Sequence, residues 1–529
     1  MNEWWRGAVI YQIYPRSFQD SDGDGIGDLP GIIDRLEHIA ELGADAIWIS
    51  PFFRSPMKDF GYDIAGYTEI DPMFGTLEDY DRLIATAHEL GLKVVIDQVY
   101  SHSSDLCPWF EESRQARTGP KADWYVWADP KPDGTPPNNW LSVFGGPAWD
   151  WEPRRRQYYL HNFLAEQPDL NLLNPVVQDA VLDVARFWLD RGTDGFRLDV
   201  VNFYAHDAEL RDNPPRPHPD PVKPYWLQRP LYNRSRPETF PVIERLRGVL
   251  DEYDARMLVG EIASEKPLED LVEYTDGVKR LHTAYTFVFL RDPVDAGGVR
   301  SALEAVAQAP DGAWPSWAFS NHDVPRVVTR WGAGRDRAAF AKQMIALLCS
   351  LRGTAFLYQG EELGLPNADV PFEDLQDPEG IRFWPNHISR DNARTPMVWE
   401  ASAHNAGFSD GVPWLPVDIA QRTLAVDRQA GDPSSVLAFT KRFLAWRKTK
   451  PALVTGDIRF FDLPEPVLGF ERFGAGGEAL VCLFNLGTEP VRIRLPMEVR
   501  PLDQDLALPG EVDGDLADLP VCAAVFARP

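Results

Sequence analysis

Short, nearly continuous apolar runs recur along this chain, and most of them end in polar residues. Residues 8–14, 45–50, 92–97, 195–201, 257–260, 283–289, 317–319 and 354–358 have this form. Runs of this length and character read as strands buried on both faces, the condition of strands in a parallel sheet. Between them lie stretches with helical spacing. Leu29, Ile32, Ile33, Leu36 and Ile39 mark a helix over 29–42 that Gly43 ends, and Thr76 with Asp79 forms a capping box for the next. Asn174-Pro175 opens a helix that runs through Asp190. Eight alternations of strand and helix predict an α/β fold, a (β/α)8 TIM-type barrel.

The alternation breaks in three places. Residues 103–170 are rich in Trp, Pro and Gly and show no regular period, so they read as an insertion after the third strand. A Pro-rich excursion covers about 212–241, and a second long one covers about 365–432 before a helix over 436–448. From about 454 the pattern becomes short alternating strands, such as 479–484. The expected division is 1–102 and 171–453 for the barrel, 103–170 for the insertion, and 454–529 for a C-terminal β-sandwich.

The polar ends of the apolar runs carry the candidate chemistry. The third run ends at Asp97 and leads to His102; the fourth holds Arg197 and Asp199. The fifth ends on Glu261, and the seventh runs into His322 and Asp323. In a barrel of this type the chemistry sits at the C-terminal ends of the strands, so these groups converge on one mouth. Arg197 and Asp199 are two apart in a strand and share a face. A lone buried Asp beside an Arg is more often a structural ion pair; the other three segments are what make this a candidate active site.

On these four segments the chain resembles the α-amylase superfamily, glycoside hydrolase family thirteen. Gln167-Pro168-Asp169-Leu170-Asn171 resembles the additional motif of its oligo-1,6-glucosidase and α-glucosidase branch. The resemblance implies that 103–170 is domain B, which walls the cleft. It also implies a retaining, exo-acting α-glucosidase with Asp199 as nucleophile, Glu261 as acid/base and Asp323 as the carboxylate that grips the sugar hydroxyls. Retention needs two carboxylates about 5 Å apart, one ionised and one protonated. Arg197 is expected to lower the pKa of Asp199, and burial to hold the proton on Glu261. The resemblance further assigns substrate contacts to Asp59, Tyr62, His102, Phe144, Phe163, His322 and Arg390, with Arg390 preferred over Arg394 as the partner of Asp59. Val200, which follows the nucleophile, goes with tolerance of α-1,6 bonds in resembling enzymes. Hydrolysis of isomaltose- or maltose-type sugars, and possible use of sucrose, is expected with transglucosylation beside it. A dedicated glucosyl-transfer or sugar-isomerising enzyme is the alternative, although the Arg-Leu-Asp-Arg-Asp loop of sucrose isomerases is absent. A non-catalytic interaction protein is the remote one, since related ectodomains lack the full carboxylate set.

Asp20, Asp22 and Asp24, with Gly25 at the sixth position, match the first part of an EF-hand loop, although the twelfth position is Gly31. Related α-glucosidases carry calcium at the matching place, which implies a structural calcium held by Asp20, Asp22, Asp24, the Ile26 carbonyl and Asp28. No organic cofactor is expected.

Composition narrows the partners. The 529 residues carry a net charge of −27, which opposes binding to nucleic acid or to an anionic membrane. Cys107, Cys349, Cys482 and Cys522 lack metal-binding spacing, and Cys349 reads as a buried free thiol. The start of the chain shows no signal-peptide pattern, and no apolar run approaches the roughly 20 residues that span a bilayer. A cytoplasmic location follows as the expectation.

Overall fold

The computed structural model describes residues 3–217, 222–275, 279–291, 295–308, 313–474, 476–502 and 506–529. Eight parallel strands form the barrel: β1 (Val9–Ile13), β2 (Ala46–Ile49), β3 (Lys93–Gln98), β4 (Gly195–Leu198), β5 (Met257–Ile262), β6 (Thr283–Thr286), β7 (Ser316–Ala318) and β8 (Thr354–Tyr358). Their order is β6-β5-β4-β3-β2-β1-β8-β7. A parallel bridge from Ala284 to Pro315 and a 2.6 Å hydrogen bond between the Thr283 and Ser316 hydroxyls close the ring. Side chains of both strand faces are buried, as the unbroken apolar runs require.

The sixth strand is shorter than the apolar run suggests. It stops at Thr286, whose hydroxyl accepts from the Val288 N–H at 3.4 Å, and Phe287–Phe289 turn in a single 3-10 coil. The helices begin where the caps predict. Thr76 and Asp79 form the full capping box, and Asn174 accepts from the Val176 N–H. Asp28, expected as a metal ligand, also caps helix α1 (Leu29–Leu42), its Oδ1 accepting from the Gly31 N–H at 2.6 Å.

The insertion after β3 holds a short helix, Pro108–Ser113, and a three-stranded antiparallel sheet of Trp127–Ala128, Gln157–Leu160 and Trp149–Glu152. Trp140, Trp149 and Leu160 centre a small core of its own. A chain of side-chain amides ties it to the excursion after β4: Asn233 donates to Asn162, Asn213 donates to Asn233, and Asn139 donates to the Asn213 carbonyl.

The C-terminal strands form one antiparallel sheet. Its long hairpin, Val491–Pro501 with Glu511–Leu519, pairs with the rest at Arg500 and Pro501, and the sheet folds over to enclose Val481, Leu483, Ile493, Leu495 and Val525. The two layers of the expected sandwich are therefore one continuous sheet. Its other face, with Phe470, Phe484 and Phe526, belongs to the same core as the barrel helices. All four cysteines are buried and unpaired. Among the described residues no helix is long and apolar enough to cross a membrane.

Candidate active site

Strand register builds the centre of the site. Asp97 on β3 lies beside Arg197 on β4, and Glu261 on β5 lies beside Tyr285 on β6. The Arg197 guanidinium is fully buried and serves three carboxylates at once. Its Nη1 donates to Asp199 Oδ1 at 2.6 Å and to Asp97 Oδ1 at 2.8 Å, and its Nη2 lies 2.8 Å from Glu261 Oε2. Tyr285 completes the cluster: Arg197 donates to its hydroxyl at 3.0 Å, and the hydroxyl donates to Glu261 Oε1 at 3.2 Å.

This sharing changes the electrostatics expected from the sequence. Arg197 was expected to depress Asp199, but one cation divided among three buried carboxylates does not offset their desolvation. Burial pushes Asp199 well above the usual range, with Arg197 opposing it and Glu261 and Asp97 adding to it. Burial likewise raises Glu261 against the pull of Arg197, and raises Asp97 to about 6. Each of the three carboxyls thus holds a proton more tightly than a free carboxylic acid does. Such a proton belongs to the cluster rather than to one residue.

Asp323 has the opposite balance. Burial works against its ionisation, but the fixed charges of Arg394 and Arg390 outweigh it and hold the carboxyl well below the usual range. Arg394 Nη2 and Arg390 Nη1 reach Asp323 Oδ1 at 2.8 and 3.3 Å. Arg390 also pairs with Asp59 at 3.0 Å and with Asp377 at 2.7 Å, so it joins the two ends of the β2 and β7 loops. Burial raises Asp59 to about 6 despite that partner. Gln167, from the motif that marked the branch, donates to Asp59 Oδ2 at 3.2 Å.

Beneath this layer the Gln12 amide contacts His322 Nδ1 at 2.8 Å, and His322 Nε2 contacts the Tyr62 hydroxyl at 2.6 Å. The hydroxyl in turn donates to Asp97 Oδ2 at 3.1 Å. With Gln12 donating, the His322 proton sits on Nε2, and burial keeps the ring neutral by pushing its pKa down to about 3. Tyr62 and His322 stack with centroids 5.4 Å apart and planes within 2°. His322 was expected to meet sugar directly. It is fully buried under Tyr62, where both ring nitrogens already have partners.

A cavity of about 640 Å³ opens above these groups. Asp59, Tyr62, His102, Phe144, Phe163, Asp199, Val200, Glu261, Asp323 and Arg390 all line it; Arg197 and His322 lie below its floor. Phe144 and Phe163 meet edge to face at 5.9 Å, and Arg390 sits 5.1 Å from the Phe144 ring. Val200 adopts φ 34°, ψ 50°, a left-handed conformation that a β-branched residue occupies only under constraint. In that conformation its N–H donates to Glu261 Oε2 at 3.2 Å.

Sequence reading did not assign Asp97, Tyr285, Asp377 or Gln167. Asp97 carried a signal, since it closes an apolar run as Asp199 nearly does. Tyr285 and Asp377 carried none, because their roles follow from register and from the folding of an irregular segment.

In the loop before α1, one carboxylate oxygen from each of Asp20, Asp22 and Asp28 lies within 4.8 Å of the others, close enough to share one cation. Asp24 is outside that group, its Oδ1 accepting from the Ile26 N–H at 2.8 Å. The donor set thus fits an oxygen-ligated cation through three of the four expected carboxylates.

Residues 12–456 match the model of the alpha amylase catalytic domain. The chain is 55% identical over 537 residues to a "Probable alpha-glucosidase" of Rhizobium meliloti (strain 1021), covering 99% of this chain and 97% of that one. It is 39% identical over 533 residues to an oligo-1,6-glucosidase of Heyndrickxia coagulans, covering 94% of each. Among solved structures, an alpha-glucosyl transfer enzyme superposes with a TM-score of 0.97 at 55% identity, covering 100% of this chain and 99% of that one.

Proposed function

The chain belongs to the alpha-amylase family of glycoside hydrolases, and from that premise we propose a retaining α-glucosidase that removes single glucose units from the non-reducing ends of short α-glucosides. The observation that carries this reading is the pair of carboxylates, Asp199 and Glu261, held on one buried guanidinium at the floor of a pocket that Asp59 and Arg390 close at one end. The Asp59–Arg390 pair would bind the outer hydroxyls of one terminal sugar.

In this mechanism Asp199 attacks the anomeric carbon while Glu261 gives its proton to the departing glycosidic oxygen. The C–O bond to the aglycone breaks as the bond to Asp199 forms. Glu261 then takes a proton from water, whose oxygen replaces Asp199 and restores the α configuration. The reaction needs Asp199 ionised and Glu261 protonated, and the burial that raises Glu261 favours its protonated form. Asp323, ionised between two arginines, would bind the sugar hydroxyls and stabilise the positive charge that develops on the ring.

Val200 argues for α-1,6 tolerance, so isomaltose-type sugars lead the substrate list, with maltose and sucrose behind them. Sugar or alcohol acceptors competing with water would give transglucosylation. The match to an alpha-glucosyl transfer enzyme favours that second reading. Residues 103–170 would form the wall of the cleft and 454–529 a supporting domain. Calcium would be held by Asp20, Asp22 and Asp28, with Asp24 and the Ile26 carbonyl drawn in, and would brace the loop without entering the reaction. Four reduced thiols fit a cytoplasmic protein.

The test combines product analysis and trapping. Isomaltose, maltose and sucrose are each supplied, and α-anomeric glucose is expected as the first product, with isomaltose giving the highest kcat/KM. A fluorinated glucosyl fluoride should leave a glucosyl adduct on the peptide carrying Asp199. First release of β-glucose, or an adduct elsewhere, would overturn the mechanism.

A further inference from the structure

The pocket is lined by five carboxylates, and each is paired with a cation, Asp199 and Glu261 sharing one. Asp59 pairs with Arg390, Asp199 and Glu261 with Arg197, Asp323 with Arg394, and Glu379 with Lys223. Arg234 also lines the pocket, is 5% exposed, and stands outside this pairing. Its guanidinium lies 5.8 Å from the Phe203 ring and 5.8 Å from the Tyr225 ring. Among the described residues no carboxylate comes within ion-pair reach of it and no acceptor takes its N–H groups. The Tyr225 hydroxyl beside it is buried and likewise has no partner. The Arg234 guanidinium meets the water of the pocket, and although a protein of net charge −27 has acidic side chains in abundance, none among the described residues is placed to answer it.

A continuous aromatic wall connects Arg234 to the closed end of the pocket. His102 meets Phe163 at 5.1 Å, Phe163 meets Phe203 at 5.3 Å, and Phe203 meets Arg234. Phe203 ends the short 3-10 turn Val201–Phe203 that follows Asp199, so Arg234 stands on this wall beside the carboxylates and apart from the Asp59–Arg390 pair.

We propose that Arg234, with the Tyr225 hydroxyl, is a recognition site for an anionic group, a carboxylate or a phosphate, carried by the aglycone or by the sugar acceptor. This rests on the α-glucosidase reading, and it extends the substrate class from neutral oligosaccharides to α-glucosides of acidic partners. The planar fork of an arginine suits either oxyanion, and a bond to a charged acceptor in a desolvated pocket is stronger than a neutral one.

Maltobionate and maltitol provide the comparison, because both present an α-1,4-linked glucose on an open-chain aglycone and differ in the carboxylate. The wild-type ratio of kcat/KM for maltobionate over maltitol is expected to be about ten, a typical yield for one charge-assisted contact, and to reside in KM. In Arg234→Gln the ratio should fall to one or below, and Arg234→Lys should recover part of it. Trehalose 6-phosphate against trehalose distinguishes phosphate from carboxylate as the preferred anion. A wild-type ratio at or below one for both pairs, or a ratio that survives Arg234→Gln, overturns the proposal. Hydrolysis of maltose is the separate control for the α-glucosidase reading. Should that fail, calorimetric binding of maltobionate and maltitol to the full-length Asp199→Asn chain still decides whether the anion is recognised.

Discussion

A single guanidinium organises the chemistry, and the residues around it divide the labour. Arg197 contacts Asp97, Asp199 and Glu261 together, and burial raises the proton affinity of all three against its pull. Glu261 receives the Val200 N–H on one carboxyl oxygen and the Tyr285 hydroxyl on the other, which fix its orientation in the pocket. In Glu261→Gln the proton donor is lost. Activity on isomaltose should drop about 10²–10⁴-fold, the usual worth of a general acid. In kcat/KM, which reports the step that forms the glucosyl-enzyme and not the later step in which Glu261 acts as base, the loss should be much smaller on 4-nitrophenyl α-glucoside, whose phenolate leaves without protonation. On that substrate the decline of the wild-type rate at alkaline pH, where Glu261 loses its proton, should also be weaker. The direction follows from the raised pKa: activity that needs the protonated acid is present below it and lost as pH rises through it. Steady-state rates from pH 5 to 10 on both substrates check this. Equal losses on the two would remove Glu261 from the acid role.

At the scale of elements, the apolar runs made the barrel legible because a strand buried on both faces tolerates few polar residues. The same rule explains the overshoot at Phe287–Phe289, which is apolar because it packs beside the pocket and not because it is extended. The strand-end residues Asp199, Glu261 and Asp323 were legible for the same reason. Arg390's bridge to Asp59, Asp323 and Asp377 was less so, because it depends on how residues 365–432 fold back over the mouth, and that stretch has no period to read. The loop at 20–28 helps to fix that fold. Its Gly25 (φ 93°) lies against the Val412 carbonyl, where a Cβ would sit 1.8 Å from the oxygen. Trp414 N–H donates to the Gly25 carbonyl at 3.0 Å, and Ser409 Oγ to Asp20 Oδ2 at 2.5 Å. A cation held by Asp20, Asp22 and Asp28 would therefore brace both β1 and the segment that carries Arg390. Chelation should lower the melting temperature and calcium restore it, with about 2.7 kcal/mol gained at a hundredfold excess over Kd. Asp22→Asn, which spares the helix cap made by Asp28, should melt at the chelated temperature with or without calcium. Identical melting of the wild-type protein in chelator and in calcium would rule the brace out.

Over the whole molecule, the C-terminal sheet is joined to the barrel by core rather than by a linker. Phe526 packs against Phe443 at 5.5 Å and Trp446 at 5.1 Å, on the helix Val436–Lys448 that covers the barrel. Buried polar groups cross the same junction: Arg472 Nη1 donates to the Ser350 carbonyl at 2.6 Å, and Gln343 Nε2 donates to the carbonyls of Asn485 and Ala523 at 2.7 and 2.8 Å. Removing the sheet would leave the Ser350 carbonyl, the Gln343 amide and the aromatic face of Phe443 and Trp446 exposed, so the two parts should unfold together despite their different architectures. Calorimetry of the intact chain is expected to show one transition. Phe526→Ala opens a cavity at the junction and should destabilise by about 3–5 kcal/mol. It should shift that one transition and the temperature at which glucosidase activity is lost by the same amount, while kcat at 25 °C stays near wild type because Phe526 is not among the residues lining the pocket. Two transitions, with only the smaller one moved by Phe526→Ala and activity following the other, would show instead that the barrel holds its site without the sheet.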